Sequence, residues 1–158
     1  MEYQHILGAT DFSDLGDTAQ QRATELAIAN ECRLTVVHVL PEPEAPSPLF
    51  SHYVVSSDEN RRTQAKKQAL AALKERTPQA GKDRALEIDY KVVIGDPAAE
   101  LLALDVRLRP DLIVLATHGR RGWRHLVMGS VAERVVQMAK ADVLTVRSRP
   151  AEEAPPVQ

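Results

Sequence analysis

The sequence predicts an α/β protein: a three-layer open sandwich in which a five-stranded, mostly parallel sheet carries four helices over its two faces. Three observations lead there. Short runs such as "LTVVHVL" and "DLIVLA" are rich in branched apolar residues, as strands buried on both faces must be. Between such runs lie segments whose apolar residues recur at three- and four-residue steps, the spacing of one helix face. The two kinds of segment alternate along the chain, and a parallel neighbour is reached only through a long right-handed crossover, which a helix fills.

In chain order, "QHILGATDFSD" reads as a strand from Ile6 to Ala9, ended by polar residues that favour turns and caps. "DTAQQRATELAIANEC" then sets Ala19, Ala23, Leu26, Ala27 and Asn30 at helical spacing. "RLTVVHVL", between a charge and Pro41, is the second strand. The four prolines of "PEPEAPSPLFSHYVV" remove backbone donors and disfavour helix and sheet alike, so 41–57 is expected to be a long surface loop. A second helix is predicted from about Asp58 to Lys74, with Ala65, Ala69, Ala72 and Leu73 on one side and Lys or Arg on the other. "ALEIDYKVVIG" supplies the third strand, and "DPAAELLALDVR" a third helix with Asp96 as N-cap and Pro97 at its first position. "DLIVLA" is the fourth strand, "SVAERVVQMAK" the fourth helix and "DVLTVR" the fifth strand. The tail 149–158, proline-rich and without period, is expected to be disordered, which leaves 1–148 as a single domain.

Composition narrows the function classes. Lys and Arg number 20 against 22 Asp and Glu, a formal charge of −2, so no whole-chain field draws the protein to nucleic acid or anionic lipid. The apolar runs fall far short of the roughly 20 residues a bilayer span needs, and the N-terminus lacks a basic stretch followed by an apolar one. A soluble, cytoplasmic protein is expected. Cys32 has no second thiol for a disulfide or a cysteine-based zinc site and is expected to be a small buried side chain.

In an open α/β sheet a ligand sits beyond the carboxyl ends of the strands, near the point where strand order reverses. Three stretches arrive there: "GATDFSD", "VLPEPE" and "THGRRGWRHLVMGS". In the last, Gly129 and Ser130 open a helix whose unpaired N–H groups attract anions, and Gly119 and Gly129 leave room for a phosphate. The competing reading makes Ser130 and Glu133 an S-x-x-E capping box. Asp11 is placed to accept ribose hydroxyls, or to serve as a turn or cap residue beside Ser13 and Asp14. His38, inside an apolar strand, reads as a satisfied core histidine. His118 is suited either to a phosphate or to a backbone hydrogen bond. Arg120, Arg121 and Arg124 steer an anion or stay solvated, and Trp123 covers the loop or meets a partner.

The order of "HILGATDFSD", "LTVVHVL", "GDPAAELL", "PDLIVLATHGR", "GSVAERVV" and "ADVLTVR" resembles the universal stress protein family over nearly the whole chain. The ATP-binding branch of that family is marked by G-x2-G-x9-G-[S/T]. Gly119, Gly129 and Ser130 match it, while Ala116 stands at the first glycine. The resemblance implies a Rossmann-like fold of the adenine nucleotide alpha hydrolase type. It places Ala9, Thr10 and Asp11 along adenosine and the Val39 backbone at the adenine edge. Leu115, Ala116, His118 and Gly119 would line the ribose and phosphates, with Gly129, Ser130 and Val131 at the phosphate tail. It further implies ATP with Mg²⁺ bridging its phosphates, a homodimer through the last strand from Val143 to Val146, and a nucleotide-dependent stress regulator acting on protein partners. Asp11, His118 and Ser130 are the candidates for any hydrolysis, which would be slow at most, so no catalytic residue is assigned. The alternative is a stress protein that works through its dimer and partner surfaces without nucleotide. A receiver domain is disfavoured by the missing acid cluster, and a nucleotidyl-transfer enzyme by the missing S-G-G-x-D-S and H-x-G-H signatures.

Overall fold

In the computed structural model, which describes residues 2–42, 55–77, 86–117 and 128–147, nine elements alternate along the chain. They are β1 (His5–Ala9), α1 (Asp14–Ala29), β2 (Arg33–Leu40), α2 (Val55–Arg76), β3 (Ile88–Ile94), α3 (Pro97–Leu108), β4 (Leu112–Ala116), α4 (Ser130–Met138) and β5 (Asp142–Val146). The five strands form one sheet in the order β3-β2-β1-β4-β5, and each adjacent pair is parallel. The chain first builds outward from β1 to β3, then crosses back and builds the other way through β4 and β5. Right-handed crossovers in opposite directions put their helices on opposite faces.

Two cores result, because successive residues of a strand face opposite sides. Ile6, Leu34, Val36, Leu112 and Val114 pack under Ala19, Ala23 and Ala27 of α1 and Leu73 of α2. Leu7, Val37, Ile113 and Leu115 pack under Leu101 and Leu104 of α3 and Ala132 and Val135 of α4. Each fully buried aliphatic side chain contributes about 1.5–3 kcal/mol. Small residues bring α1 close: a Cβ on Gly8 would lie 2.9 Å from that of Ala23.

The caps locate the helix starts. Ser13 accepts from the Gly16 N–H, so α1 begins at Asp14 rather than at the Asp17 that periodicity marks. Asp96 accepts from the Ala99 N–H, and α3 follows with Pro97 in its first turn, as the sequence predicts. Helix α2 begins at Val55, inside the stretch expected to be loop. The last proline of that stretch is Pro48, and beyond it every residue again has an N–H to donate. The rest of that loop and the tail 149–158 lie outside the described residues. Cys32 is buried, as expected of it.

At the amino ends of the strands, buried polar groups take over where the ladders stop. Asp111 Oδ2 accepts from the backbone N–H groups of Gln4 and His5 at 2.7 and 2.8 Å. Asp105, 3% exposed, accepts from the N–H groups of Lys140 and Ala141. His5 is also buried, with Nδ1 accepting from Arg33 Nη2 at 3.0 Å and Nε2 therefore donating to Thr35 Oγ1 at 2.8 Å. Burial and the Arg33 charge lower its pKa from the ordinary value.

A lowered histidine pKa means that the unfolded chain binds the proton more readily than the folded one. Stability is therefore greatest above about pH 6.5 and declines as the pH falls through that value. His5→Gln should flatten this decline, as read from urea melts at pH 7.5 and 5.5; an unchanged slope would assign it to other groups.

Candidate functional site

The strand order reverses between β1 and β4, and the helices that follow these two strands pack on opposite faces; in open α/β sheets a ligand crevice lies outside the carboxyl ends of the strands at such a point. At the carboxyl ends of these strands lie Ala9, Thr10 and Asp11 at and after the end of β1, Val39 in β2 and Leu115 and Ala116 in β4, and Gly129, Ser130 and Val131 stand at the start of α4. His118 and Gly119 lie outside the described residues, as do Arg120, Arg121, Trp123 and Arg124.

Thr10 is a buried knot. Its N–H donates to Val37 O at 3.0 Å, its carbonyl accepts from His38 Nδ1 at 2.8 Å, and its hydroxyl accepts from the Phe12 N–H at 3.1 Å. His38 is thus a satisfied core histidine, 7% exposed. Asp11 Oδ1 accepts from the Ser13 N–H at 3.1 Å and from the Ser13 hydroxyl at 2.6 Å, so one carboxylate oxygen is committed to the turn. That turn presses on α1: a Cβ on Gly16 would lie 2.6 Å from Asp11 Oδ1 and 2.9 Å from Thr10 Oγ1.

Val39 owes its position to unequal strand lengths. Strand β1 ends at Ala9 opposite Val37, while β2 runs on to Leu40. In β2 the odd-numbered residues bond toward β1, as in Arg33 N–H to Gln4 O and Thr10 N–H to Val37 O; the even-numbered ones bond toward β3, as in Gly95 N–H to Leu40 O. Val39 therefore aims its N–H and C=O at the space where β1 has already turned away. A planar ligand edge with one donor and one acceptor suits that pair.

Gly129 is the N-cap of α4, with φ −63 and ψ 146 and no side-chain cap hydrogen bond. The Ser130–Glu133 capping box, the competing reading of this stretch, is not formed. Ser130 is already the first helical residue, one position past the cap, and the Glu133 N–H bonds the Gly129 carbonyl at 2.9 Å. The Gly129 N–H is not a free donor either, since it bonds Thr117 O at 2.7 Å and ties the two ends of the glycine-rich segment together. The first intrahelical bond begins at Glu133, so the N–H groups of Ser130, Val131 and Ala132 have no intrahelical partner, and none among the described residues, at this positive helix end. Nearby, Arg134 of α4 donates to Asp96 Oδ1 at 2.8 Å, tying α4 to the cap of α3. The Ala99 N–H and Arg134 both lower the Asp96 pKa.

Residues without a motif complete the site. Phe12 has φ 63 and stacks on His38 with ring centres 4.0 Å apart, while Arg76 reaches it from α2. An aromatic amid capping residues was the one hint of this in the sequence; Gly16 and Arg76 gave none. Among the described residues no cluster of three His, Cys, Asp or Glu side chains is placed to hold a metal ion. The pair His5–Thr35 looks like a base beside a hydroxyl. With Arg33 on Nδ1, however, Nε2 is a donor, and the pair lies at the opposite edge of the sheet.

Residues 2–147 match the sequence pattern described as the universal stress protein family. The chain belongs to that family. A universal stress protein A homolog of Coxiella burnetii is 31% identical over 148 residues, covering 92% of this chain and 97% of the relative. Among solved structures, that of the protein MJ0577 superposes with a TM-score of 0.76 at 22% identity, covering 96% of this chain and all of the other. A universal stress protein in complex with cAMP has a TM-score of 0.66 at 26% identity, covering 92% of this chain and 98% of that one.

Gly16→Ala should push the Asp11 turn off α1 and destabilise the protein by about 1–3 kcal/mol, measured by denaturant unfolding. Wild-type stability would mean that the turn yields without cost.

Proposed function

We propose that this universal stress protein binds ATP in the crevice and acts as a nucleotide-dependent regulator rather than as an efficient enzyme. The observation that carries this is the uncapped start of α4. Its first three N–H groups follow a glycine N-cap, and among the described residues no side chain caps them. The adenine edge would pair with the Val39 N–H and C=O, Ala9, Thr10 and Asp11 would lie along the adenosine, and Leu115 and Ala116 would line the ribose and phosphates. Gly129, Ser130 and Val131 would receive the phosphate tail, and the family resemblance adds His118 and Gly119 to the lining of the ribose and phosphates. Mg²⁺ would be held through phosphate oxygens, the usual mode for that ion. The relative solved with cAMP supports an adenine nucleotide as the ligand class.

A homodimer through Val143 to Val146 belongs to the same proposal, in a cytoplasmic setting with protein partners. β5 is an edge strand, and Leu144 on it is 36% exposed. Val136 and Met138 of the adjoining α4 are 45% and 63% exposed. This free apolar edge also favours the second reading, a protein acting through its dimer alone.

Titration calorimetry with Mg²⁺ and ATP on nucleotide-free protein separates the two. One ATP per subunit supports the first reading, and no heat supports the second. Gly129→Glu should abolish binding by placing bulk and negative charge at the helix end. Ser130→Ala should weaken ATP by about 1 kcal/mol. Because Ser130 caps nothing, its replacement should leave the melting temperature within about 1 °C; a large drop would restore the capping role. Leu144→Glu should shift a dimer to monomer in sedimentation, and an unchanged mass would move the interface elsewhere.

A further inference from the structure

The turn that carries Thr10 and Asp11 is held from outside by groups that the ligand reading leaves unused. Phe12 sits at φ 63, a left-handed conformation that a bulky side chain adopts only when its surroundings impose it. Two contacts impose it here. On one side its ring lies on His38, interplanar angle 26°, and the same imidazole donates to the Thr10 carbonyl. On the other side Arg76, the last residue of α2, sets its guanidinium 5.4 Å from the Phe12 ring centre. Its Nη1 donates to the Phe12 carbonyl at 3.1 Å and to Asp17 Oδ2 at 2.8 Å. The ion pair with Asp17 is half-exposed and by itself contributes little. The charged bond to the carbonyl and the contact with the ring act together on one strained residue, and that is where Arg76 exerts its effect.

We propose that Arg76 is a positioning residue for the nucleoside half of the site: it holds the Phe12 peptide, and through it Asp11, in the shape that receives the ligand. This rests on the nucleotide reading above. Arg76 acts through Phe12, so its loss is felt wherever the nucleoside is bound, whatever phosphate chain follows. Ser130 on the other wall of the crevice has the complementary effect, felt only by ligands that carry the phosphates.

The test is titration of wild type, Arg76→Ala, Arg76→Lys and Ser130→Ala with adenosine and, separately, with ATP and Mg²⁺. Arg76→Ala should weaken both ligands by the same factor, about tenfold, as loss of a charge-assisted hydrogen bond would. Ser130→Ala should weaken ATP alone. Amide resonances of Asp11, Phe12 and Ser13 should shift in Arg76→Ala while those of Val36 and Val114 in the core stay in place, a pattern that general destabilisation does not produce. Arg76→Lys keeps the charge beside Asp17 without the planar face over the ring, so it should lose adenosine affinity roughly threefold; it decides the matter should Arg76→Ala not fold. Wild-type adenosine affinity in a folded Arg76 variant overturns the positioning role and leaves the nucleotide reading standing. A wild-type protein that binds neither ligand overturns both.

Discussion

Crossovers between parallel strands must be right-handed, and the rest of this molecule depends on where the chain reverses its direction across the sheet. The reversal falls between β1 and β4. It assigns α1 and α2 to one face and α3 and α4 to the other, which is why there are two cores. It also sets the helices that follow two neighbouring strands on opposite faces, the arrangement that leaves a ligand crevice at the carboxyl edge of open α/β sheets. A chain that kept building in one direction would put all four helices on one face and have no such gap.

What lines the crevice is mostly backbone that regular structure leaves over. Val39 reaches past the end of a shorter neighbour, and the first turn of α4 has donors with no carbonyl one turn back. Side chains in the same region are largely occupied with shaping the chain: Thr10 has all three of its polar groups bonded, and Ser13 is bonded to both Asp11 and Gly16. The proposed nucleotide would thus be recognised by edge geometry and by the fixed partial charges of backbone groups.

The opposite edge of the sheet is built differently. There Asp105 and His5 are buried and Asp111 lies at the surface, and each is bonded to backbone or side-chain partners. Ionisable residues gathered in a protein interior invite a catalytic reading, but here their bonds close the ends of β1, α4 and β5 where no ladder partner exists. The pH response of His5 belongs to stability.

The sequence by itself determined the elements and the family. β-branched runs, helical periodicity and the Asp96-Pro97 start are local properties, and each strand it marked is present within three residues of its predicted limits. It also placed His38 in the core, since a lone histidine in a buried strand has few other fates. Tertiary structure decided the rest. The Ser130–Glu133 spacing fits a capping box, yet the helix, tied at its start by the bond from Gly129 N–H to Thr117 O, begins one residue earlier than a cap at Ser130 requires. Asp11 has both of its readings open in sequence, and only the turn shows one oxygen committed. Val39 is set apart from Val37 by the end of a different strand, and Arg76 meets Phe12 across 64 residues of chain. Local preferences are written along the chain, whereas which donors are left unpaired depends on what the rest of the fold brings beside them.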